Sequence, residues 1–422
     1  MDTIFAVSSG RPPAAIAIIR LSGPQAFASA EALAGTLPEP RRAGVRTLRD
    51  NNRLALDQAL VLTFPGPRSA TGEDVVEFHC HGGRAVVDAI ERALDALPGM
   101  RRADAGEFTR RALTNGRIDL AQAEGLGDLL TAETEGQRRA AMAATEGVVS
   151  RAIVGWLDRL SILAAEVEAA LDFADEDDVG DTNIDSIVRG IAGVAEDIRV
   201  TLDAPPVERL RDGVRVVLAG PPNSGKSTLL NRLAQRDAAI VTPISGTTRD
   251  RIDVSVVRDG VAYVLTDTAG LTDTDDIVER IGVERATAAI DQADILVWLG
   301  DDEPPRDAIW VHARADQPDR VMLPAHADLA IGLDNDRSLN DLWQALAIRL
   351  VDLLPAPDTL LFSRNQRRRC ADAIVALTMD DQDLLIIAER LRRARKSLSA
   401  ILGVDATEAM LTALFSRFCI GK

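Results

Sequence analysis

Val214-Arg215-Val216-Val217-Leu218-Ala219-Gly220-Pro221-Pro222-Asn223-Ser224-Gly225-Lys226-Ser227 is the stretch from which the fold of this 422-residue chain is best read. Its first six residues are mostly aliphatic and β-branched, as in a buried strand, and Thr228–Leu233 behind it has helical character. Between the two, Gly220–Ser227 fits the pattern G-x-x-x-x-G-K-[ST]. In such a loop the glycines let backbone N–H groups close around phosphates, Lys226 reaches the β and γ oxygens, and Ser227 offers its hydroxyl to Mg²⁺. A chance match in a glycine-rich turn would lack the preceding strand and the following helix. A nucleoside triphosphate is the expected ligand.

The surrounding pattern agrees. From Gly213 to about Leu353 apolar strand candidates recur at Val214–Ala219, Ala262–Thr266, Asp294–Leu299 and Ile309–His312, separated by helical stretches, which implies a mostly parallel sheet. Ser245-Gly246-Thr247-Thr248-Arg249-Asp250 is a hydroxyl-rich loop whose Thr248 can complete a Mg²⁺ shell when a γ-phosphate is present. Asp267-Thr268-Ala269-Gly270 follows a strand, so Asp267 can hold the metal through water and the Gly270 N–H can sense the γ-phosphate. The two segments in this order make a GTPase switch set. Leu271 stands where many switch GTPases carry a water-orienting glutamine, so hydrolysis needs another source of help.

Further out the character changes. Residues 1–117 mix short strand-like runs, Ala14–Arg20 and Ala59–Phe64, with a helical segment Arg84–Leu97, and read as a compact α+β domain. From Asp119 the chain is Ala-rich, and Ile153, Trp156, Leu160, Leu163, Val167 and Leu171 recur every three or four residues, a face for helix-on-helix packing. The acidic run Asp172–Asp181 lacks the ligand spacing and glycine of a calcium loop and reads as a solvated turn between helices. After Pro355 and Pro357 helix returns at Leu384–Leu402, and a last helix is expected to start at Asp405 with Glu408 completing a capping box. The expected fold class is therefore α/β multidomain: an α+β domain at 1–117, a first helical part at 118–212, a P-loop GTPase domain with helices on both sheet faces at 213–353, inserted in the helical domain, and a second helical part at 354–422.

Composition narrows the function. With 46% apolar and 27% charged residues the chain has the balance of a soluble globular protein. Its N-terminus lacks a basic n-region followed by an apolar h-region, and no run reaches about 18 apolar residues, so a cytoplasmic location without membrane insertion is expected. Cys80, Cys370 and Cys419 are widely spaced and form no CxxC pair, which suits a reducing compartment. Cys419-Ile420-Gly421-Lys422 is a poor match to a prenylation box. A net charge of −17 disfavours nucleic acid on average, yet residues 356–422 hold eleven Lys/Arg against eight Asp/Glu, so this end is the candidate basic patch. Arg367-Arg368-Arg369 and Arg392–Lys396 read equally as RNA contacts or as a solvated helix face.

Beyond the phosphate loop, Asp2-Thr3-Ile4, Ile19-Arg20-Leu21-Ser22-Gly23-Pro24, Thr71-Gly72-Glu73-Asp74, His81-Gly82-Gly83, Gly106-Glu107-Phe108-Thr109, Asp119-Leu120-Ala121-Gln122-Ala123-Glu124 and Cys419-Ile420-Gly421-Lys422 occur in one order. In these segments the chain resembles the tRNA-modification GTPase family MnmE (TrmE) over nearly its whole length. The resemblance implies a homodimer joined through N-terminal domains, a tetrahydrofolate derivative (5-formyl- or methylene-tetrahydrofolate) bound there, and a flavin- and NADH-using partner of the MnmG (GidA) type, together a heterotetramer, acting on carbon-5 of wobble uridine in tRNA. It also implies potassium-dependent hydrolysis, the cation standing in for an arginine finger. Carried onto this sequence, Asn223, Thr242, Ile244 and Thr247 would surround K⁺, and Ser227 and Thr248 would hold Mg²⁺. Nucleotide contacts would come from Asn223, Ser224, Gly225, Lys226, Ser227, Thr228, Thr242, Thr247, Thr248, Asp267, Thr268, Ala269, Gly270 and Asp316. Glu279, alone readable as a helix-surface residue paired with a nearby Arg, matches the family's water-positioning acid. Arg20, Glu77, Arg117 and Lys422 match its folate-binding positions, and Cys419 its near-terminal cysteine, directed towards the modification centre. His79, Cys80 and His81 look metal-like, but alternation puts Cys80 on the opposite strand face, a poor zinc site.

The sequence departs from the family at its guanine-reading motif. Where the family has Asn-Lys-x-Asp, this chain has Ala313-Arg314-Ala315-Asp316. Asp316 keeps the carboxylate for guanine and Arg314 can stack like a lysine stem, but the bracing Asn is absent, so weaker guanine binding is expected. The following base loop has no clean counterpart near Ile331-Gly332-Leu333. A GTP-dependent regulatory or ribosome-assembly switch without covalent tRNA chemistry is the rival reading, and a scaffold with impaired nucleotide specificity a second.

Overall fold

The structure is a computed structural model that describes residues 2–172, 184–236, 253–268, 286–318, 320, 322–332, 336–356, 359–379, 383–404, 406–416 and 418–421. The chain clusters into two compact units: residues 1–127, 144–154 and 398–422 in the first, and 128–143 and 155–397 in the second.

The first unit is built on a six-stranded sheet in the order β3-β4-β5-β2-β1-β6, with β1 Thr3–Val7, β2 Ile16–Ser22, β3 Gly44–Arg49, β4 Ala55–Phe64, β5 Val75–His81 and β6 Met100–Arg102. All pairings are antiparallel except β1 with β6. Period-two alternation assigns the faces. Ala17, Ile19 and Leu21 of β2 and Val76, Phe78 and Cys80 of β5 pack in one core with the helices Ala26–Ala34 and Arg84–Asp95. Each fully buried Ile, Leu or Phe there contributes about 1.5–3 kcal/mol relative to exposure. On the other face Ile4 and Ala6 meet Ala103 and Phe108 of the helix Glu107–Thr114, leaving Arg20 and Glu77 on the same side. Gly82 is required by close approach: a Cβ there would lie 2.3 Å from the Ala14 carbonyl oxygen.

The second unit holds another six-stranded sheet, β12-β11-β10-β7-β9-β8, with β7 Val214–Ala219, β8 Asp253–Arg258, β9 Val261–Asp267, β10 Ile295–Trp298, β11 Ile309–Ala313 and β12 Leu329–Ile331. Only the β8/β9 hairpin is antiparallel. The chain runs outward from β7 in both directions, so the order reverses beside β7 and opens a crevice at the carboxyl ends of the strands. Val216, Leu218, Leu265, Val297 and Val311 share one core with Leu229, Leu230 and Leu233 of the helix Lys226–Arg236 and with Leu339, Leu342, Trp343 and Leu346 of Asp336–Leu350. Val217, Ala219, Ala293 and Leu296 pack on the opposite face.

Helices complete the unit. In the helix Val148–Asp172, whose residues 148–154 belong to the first unit, the stripe read from the sequence is buried at Ile153, Trp156, Leu160, Leu163 and Val167, and ends on Ala170 rather than Leu171. Its residue Leu163 meets Gly190 of the helix Ile184–Leu202, where a Cβ would come within 2.6 Å of the Leu163 side chain. Arg364–Leu377 opens with a capping box between Ser363 and Gln366, and the buried Arg390 donates to the Ala376 and Leu377 carbonyls at its end. That guanidinium satisfies the helix's last acceptors and opposes its negative dipole end. The final helix, in the first unit, corrects one expectation. It spans Glu408–Phe415 and is capped by Thr407, whose hydroxyl accepts from the Met410 N–H, because this oxygen stands three residues before that amide. Asp405 and most of the run Asp172–Asp181 lie outside the described residues.

Candidate nucleotide site and the anchored C-terminus

At the exit of β7 the chain turns through Gly220 (φ +148°), Asn223 (φ +62°) and Gly225 (φ +99°) into the helix Lys226–Arg236. A Cβ on Gly220 would meet the Leu299 carbonyl carbon at 3.0 Å, so only glycine lets β7 pass this close to the end of β10. The N–H groups of a first helical turn have no partner within their own helix, which makes this helix start a ready anion site. Lys226 is buried, and its Nζ donates to the carbonyls of Gly220 at 3.0 Å and Pro221 at 2.8 Å. Burial lowers its pKa and the nearby Asp267 carboxylate opposes the shift. The Ser224 hydroxyl is buried without a hydrogen bond among the described residues.

Strand pairing brings Asp267 to this loop. Leu218 on β7 is in register with Asp267 on β9, and the Ser227 hydroxyl donates to Asp267 Oδ2. Asp267 is 2% exposed, so two oxygen ligands of the kind Mg²⁺ takes converge in a shielded place. Thr268 is tied back to β7, its N–H and hydroxyl both donating to the Leu218 carbonyl at 3.3 and 3.0 Å. Thr242, Ile244, Thr247, Thr248, Ala269, Gly270 and Glu279 lie outside the described residues.

The loop Ala313-Arg314-Ala315-Asp316 leaves β11 beside the phosphate loop. Arg314 takes φ +60°, and its guanidinium donates to the Asn223 carbonyl, joining the two loops through the residue that stands for the family's lysine. The Ala315 N–H donates to Ile331 O at 3.1 Å, and Gly332 lets Asp316 approach, since a Cβ there would lie 3.2 Å from the Asp316 Cβ. Asp316 is thus held at the carboxyl edge of the sheet. Leu333 is outside the described residues.

Residues 202–212 link the helices to this sheet. Arg367 donates to the carbonyls of Leu202 at 2.5 Å and Ala204 at 2.6 Å, Val207 N–H to Phe362 O at 3.2 Å, and the Arg364 N–H to Glu208 Oε1 at 2.6 Å. Gln137 Nε2 donates to Arg211 O at 2.9 Å. On the sheet side Arg209 Nε reaches Asp294 Oδ1 at 2.9 Å, while Asp294 Oδ2 accepts the Arg215 N–H of β7 at 3.0 Å. Arg367 is therefore spent on the link, and Arg392 pairs with Glu389.

In the first unit, β2 and β5 set Arg20 opposite Glu77, with Arg20 Nη2 2.8 Å from Glu77 Oε1. Glu77 Oε2 also meets His79 Nε2 at 3.2 Å, and the Arg20 guanidinium lies 5.7 Å from the Phe108 ring centre. Arg117 is separate: its Nε donates to Ser69 O at 3.2 Å, and among the described residues no hydrogen bond or ion pair joins it to Arg20 or Glu77. Cys80 points into the core with its thiol donating to Ala17 O at 3.3 Å, while His81 pairs with Asp57 at 2.7 Å. Burial pushes the Cys80 thiol up to about 11.

The C-terminus is clasped to this unit. Ile420 bridges Ala105, the Gly106 N–H donates to Cys419 O at 3.4 Å, and the Ser8 hydroxyl donates to Gly421 O at 2.8 Å. Gly421 sits at φ +95° so close to β1 that a Cβ would lie 2.1 Å from Val7 O. Cys419 is exposed on a main chain fixed from both sides; Lys422 lies outside the described residues. Sequence reading gave the cysteine but not the clasp. It also missed a salt-bridge cluster in which Arg111 meets Asp2 at 2.9 Å, Glu107 at 3.0 Å and Glu73 at 3.1 Å, lining a cavity of about 510 Å³. Only Glu107 and Arg111, four apart on one helix, form a pair readable from the sequence; Asp2 and Glu73 are too distant from them in the chain.

Comparison with known proteins gives a consistent result. A family described as "GTP-binding protein TrmE N-terminus" matches residues 3–117, and one described as "MnmE helical domain" matches residues 120–419. Proteins named tRNA modification GTPase MnmE are similar end to end. That of Erythrobacter litoralis is 50% identical over 426 residues, covering 100% of both chains. That of Rhizorhabdus wittichii is 50% identical, covering 100% of this chain and 97% of its own, and that of Zymomonas mobilis is 46% identical, covering 100% of both.

Proposed function

Because the chain belongs to the MnmE family of tRNA modification GTPases, we propose that its GTP hydrolysis is potassium-activated and drives a folate-dependent addition at carbon-5 of wobble uridine in tRNA. The observation that supports the hydrolytic half best is the convergence of Lys226, Ser227 and Asp267 at the exit of β7. Lys226 neutralises charge on the β- and γ-phosphates, and the helix N-terminus and loop N–H groups hold the remaining oxygens. Ser227, with Asp267 behind it and Thr248, would hold Mg²⁺, which would supply positive charge against the phosphates. The buried Ser224 hydroxyl gives the loop a further donor for the nucleotide.

Potassium would be held by Asn223 together with Thr242, Ile244 and Thr247, adding positive charge at the β–γ bridge. Glu279 would position the attacking water, the role for which Leu271 has no suitable group. Asp316 would accept from guanine N1 and N2. Arg20 and Glu77, with Arg117 and Lys422, would hold the tetrahydrofolate derivative. Cys419 would act at the modification centre, and the tail clasp suits that role because it fixes the cysteine's main chain. The domains proposed are 1–117 for folate and dimerisation, 118–212 and 354–422 for the helical parts, and 213–353 for GTP. The working assembly proposed is a cytoplasmic homodimer with an MnmG-type flavoprotein; among the described residues no helix is long and apolar enough to cross a membrane.

The test is GTP and ATP hydrolysis in potassium and in sodium buffer at equal ionic strength. GTP hydrolysis that appears only in potassium supports the cation mechanism. Equal rates in both salts refute it, and equal rates with GTP and ATP refute the assignment of Asp316.

A further inference from the structure

The departure at Ala313 removes a bracing side chain from the base-reading loop, yet the loop's first carbonyl is held. Arg320, seven residues on, folds back so that its Nε donates to Ala313 O at 2.9 Å. Its other nitrogens grip Asp301, which leaves β10, through two contacts of 3.0 and 2.7 Å. His312, buried on β11, completes the arrangement: its Nδ1 accepts from Arg320 Nη2 at 3.2 Å and its Nε2 donates to Arg320 O at 3.0 Å. A main-chain oxygen can only accept and a guanidinium only donate, so both contacts require the same imidazole tautomer. The fork of an arginine fits a carboxylate and a carbonyl together, which a lysine ammonium does not reproduce.

We infer that Arg320, aimed by Asp301 and His312, is a positioning residue for guanine recognition, fixing the start of the Ala313–Asp316 loop in place of the side chain that Ala313 lacks. The inference rests on the assignment of Asp316 to the base. The chain of contacts runs from the β10 exit through Arg320 to Ala313 O, and the next three residues end at Asp316. Arg314 holds the loop to the phosphate loop, whereas Arg320 holds it to the sheet. Losing either leaves Asp316 free to shift from the plane of the base, an error felt in binding more than in the chemical step.

The experiment measures KM and kcat for GTP, and competition by ATP, for the full-length protein carrying Arg320→Ala, Arg320→Lys, Ala313→Asn, or Ala313→Asn with Arg320→Ala. Arg320→Ala is expected to raise KM for GTP about tenfold or more, with kcat within about twofold, the size of losing one charge-assisted hydrogen bond. Arg320→Lys should recover only part of this. With Asn at 313 the effect of Arg320→Ala should shrink to within about threefold, a rescue that a general loss of stability would not show. An unchanged KM in Arg320→Ala, or equal losses in both backgrounds, overturns the inference. Asp301→Asn gives the same reading through the other end of the pair if Arg320→Ala does not fold. Wild-type protein that fails to prefer GTP over ATP, or an Asp316→Asn variant that gains no preference for xanthosine triphosphate, overturns the Asp316 assignment instead.

Discussion

Asp128 should make the second unit less stable above neutral pH than it need be. Burial pushes its carboxyl up to about 6 from an ordinary 3.8; Arg211, 3.8 Å away, pulls it back, and Asp212 and Glu208 add to the rise. A raised carboxylate pKa means that the folded state resists ionisation. There is no penalty below the unfolded value of 3.8, the penalty grows between the two values, and it is complete above about 6. The difference in pKa corresponds to at most about 3 kcal/mol at pH 7.5 and about 0.5 kcal/mol at pH 4.0. Asn has the shape of the protonated acid and no charge. Asp128→Asn should therefore raise the calorimetric transition of this unit by roughly 6–12 °C at pH 7.5 and by only about 1–2 °C at pH 4.0. A shift of equal size at both pH values would remove the titration argument. A lower transition at pH 7.5 would show that the Arg211 attraction outweighs burial.

Arg111→Ala should cost the first unit about 1–3 kcal/mol in denaturant unfolding, because Glu73 loses its Arg111 ion pair while Asp2 and Glu107 keep Arg101. Burial alone would raise the Glu107 carboxyl, but Arg101, the Asp104 N–H and Arg111 hold it below its ordinary value, so its contribution is present above about pH 4.5 and lost on acidification; the variant should show a smaller acid dependence, and an unchanged one would refute the pairing. Gly421→Ala should cut hydrogen-exchange protection of the Gly106 amide about tenfold, since the new methyl meets Val7 O, while Gly10→Ala, with open space around it, should change nothing. Lys226→Ala should lower GTP turnover on the order of 10²–10³-fold, the usual cost of removing a fixed transition-state charge, and near-normal turnover would exclude the phosphate role.

What was legible in the sequence shares one property: the residues that act together stand on one turn, strand or helix face. Gly220–Ser227 is one turn whose glycines, Lys226 and Ser227 follow one another along the chain, so the pattern of residues is the pattern in space. The Trp156 to Val167 stripe is likewise a single helix face, and β-strand alternation alone separates Cys80 from His79 and His81. The tail clasp was out of reach for a different reason. Cys419, Ile420 and Gly421 were visible, but what holds them is main chain: a carbonyl at Val7, an amide at Gly106 and a φ that only glycine adopts readily. Arg20 and Glu77 came from the resemblance, and only the β2/β5 register sets them side by side. Arg117 shows the opposite, sharing a family pattern with them while making its contact elsewhere.

The base-reading loop shows why an absent motif residue argues less strongly than a present one. Asn at the position of Ala313 would be one way to hold a loop, and its absence suggests a slack site. The physical requirement, however, is only that the loop's carbonyls and amides be satisfied and its path fixed. Any donor in reach can meet that requirement, and here a guanidinium from position 320, anchored at 301 and seated on 312, donates to the same loop. Such a donor has no fixed sequence distance, because its place is set by where β10 and β11 end. In the proposed reading Asp316 is different: recognising guanine would need a carboxylate at one spot facing the base, so that residue could not be exchanged for a brace from elsewhere. A mutation that spares Asp316 should then be recoverable by a second brace, whereas one at Asp316 should be recoverable only by changing the base.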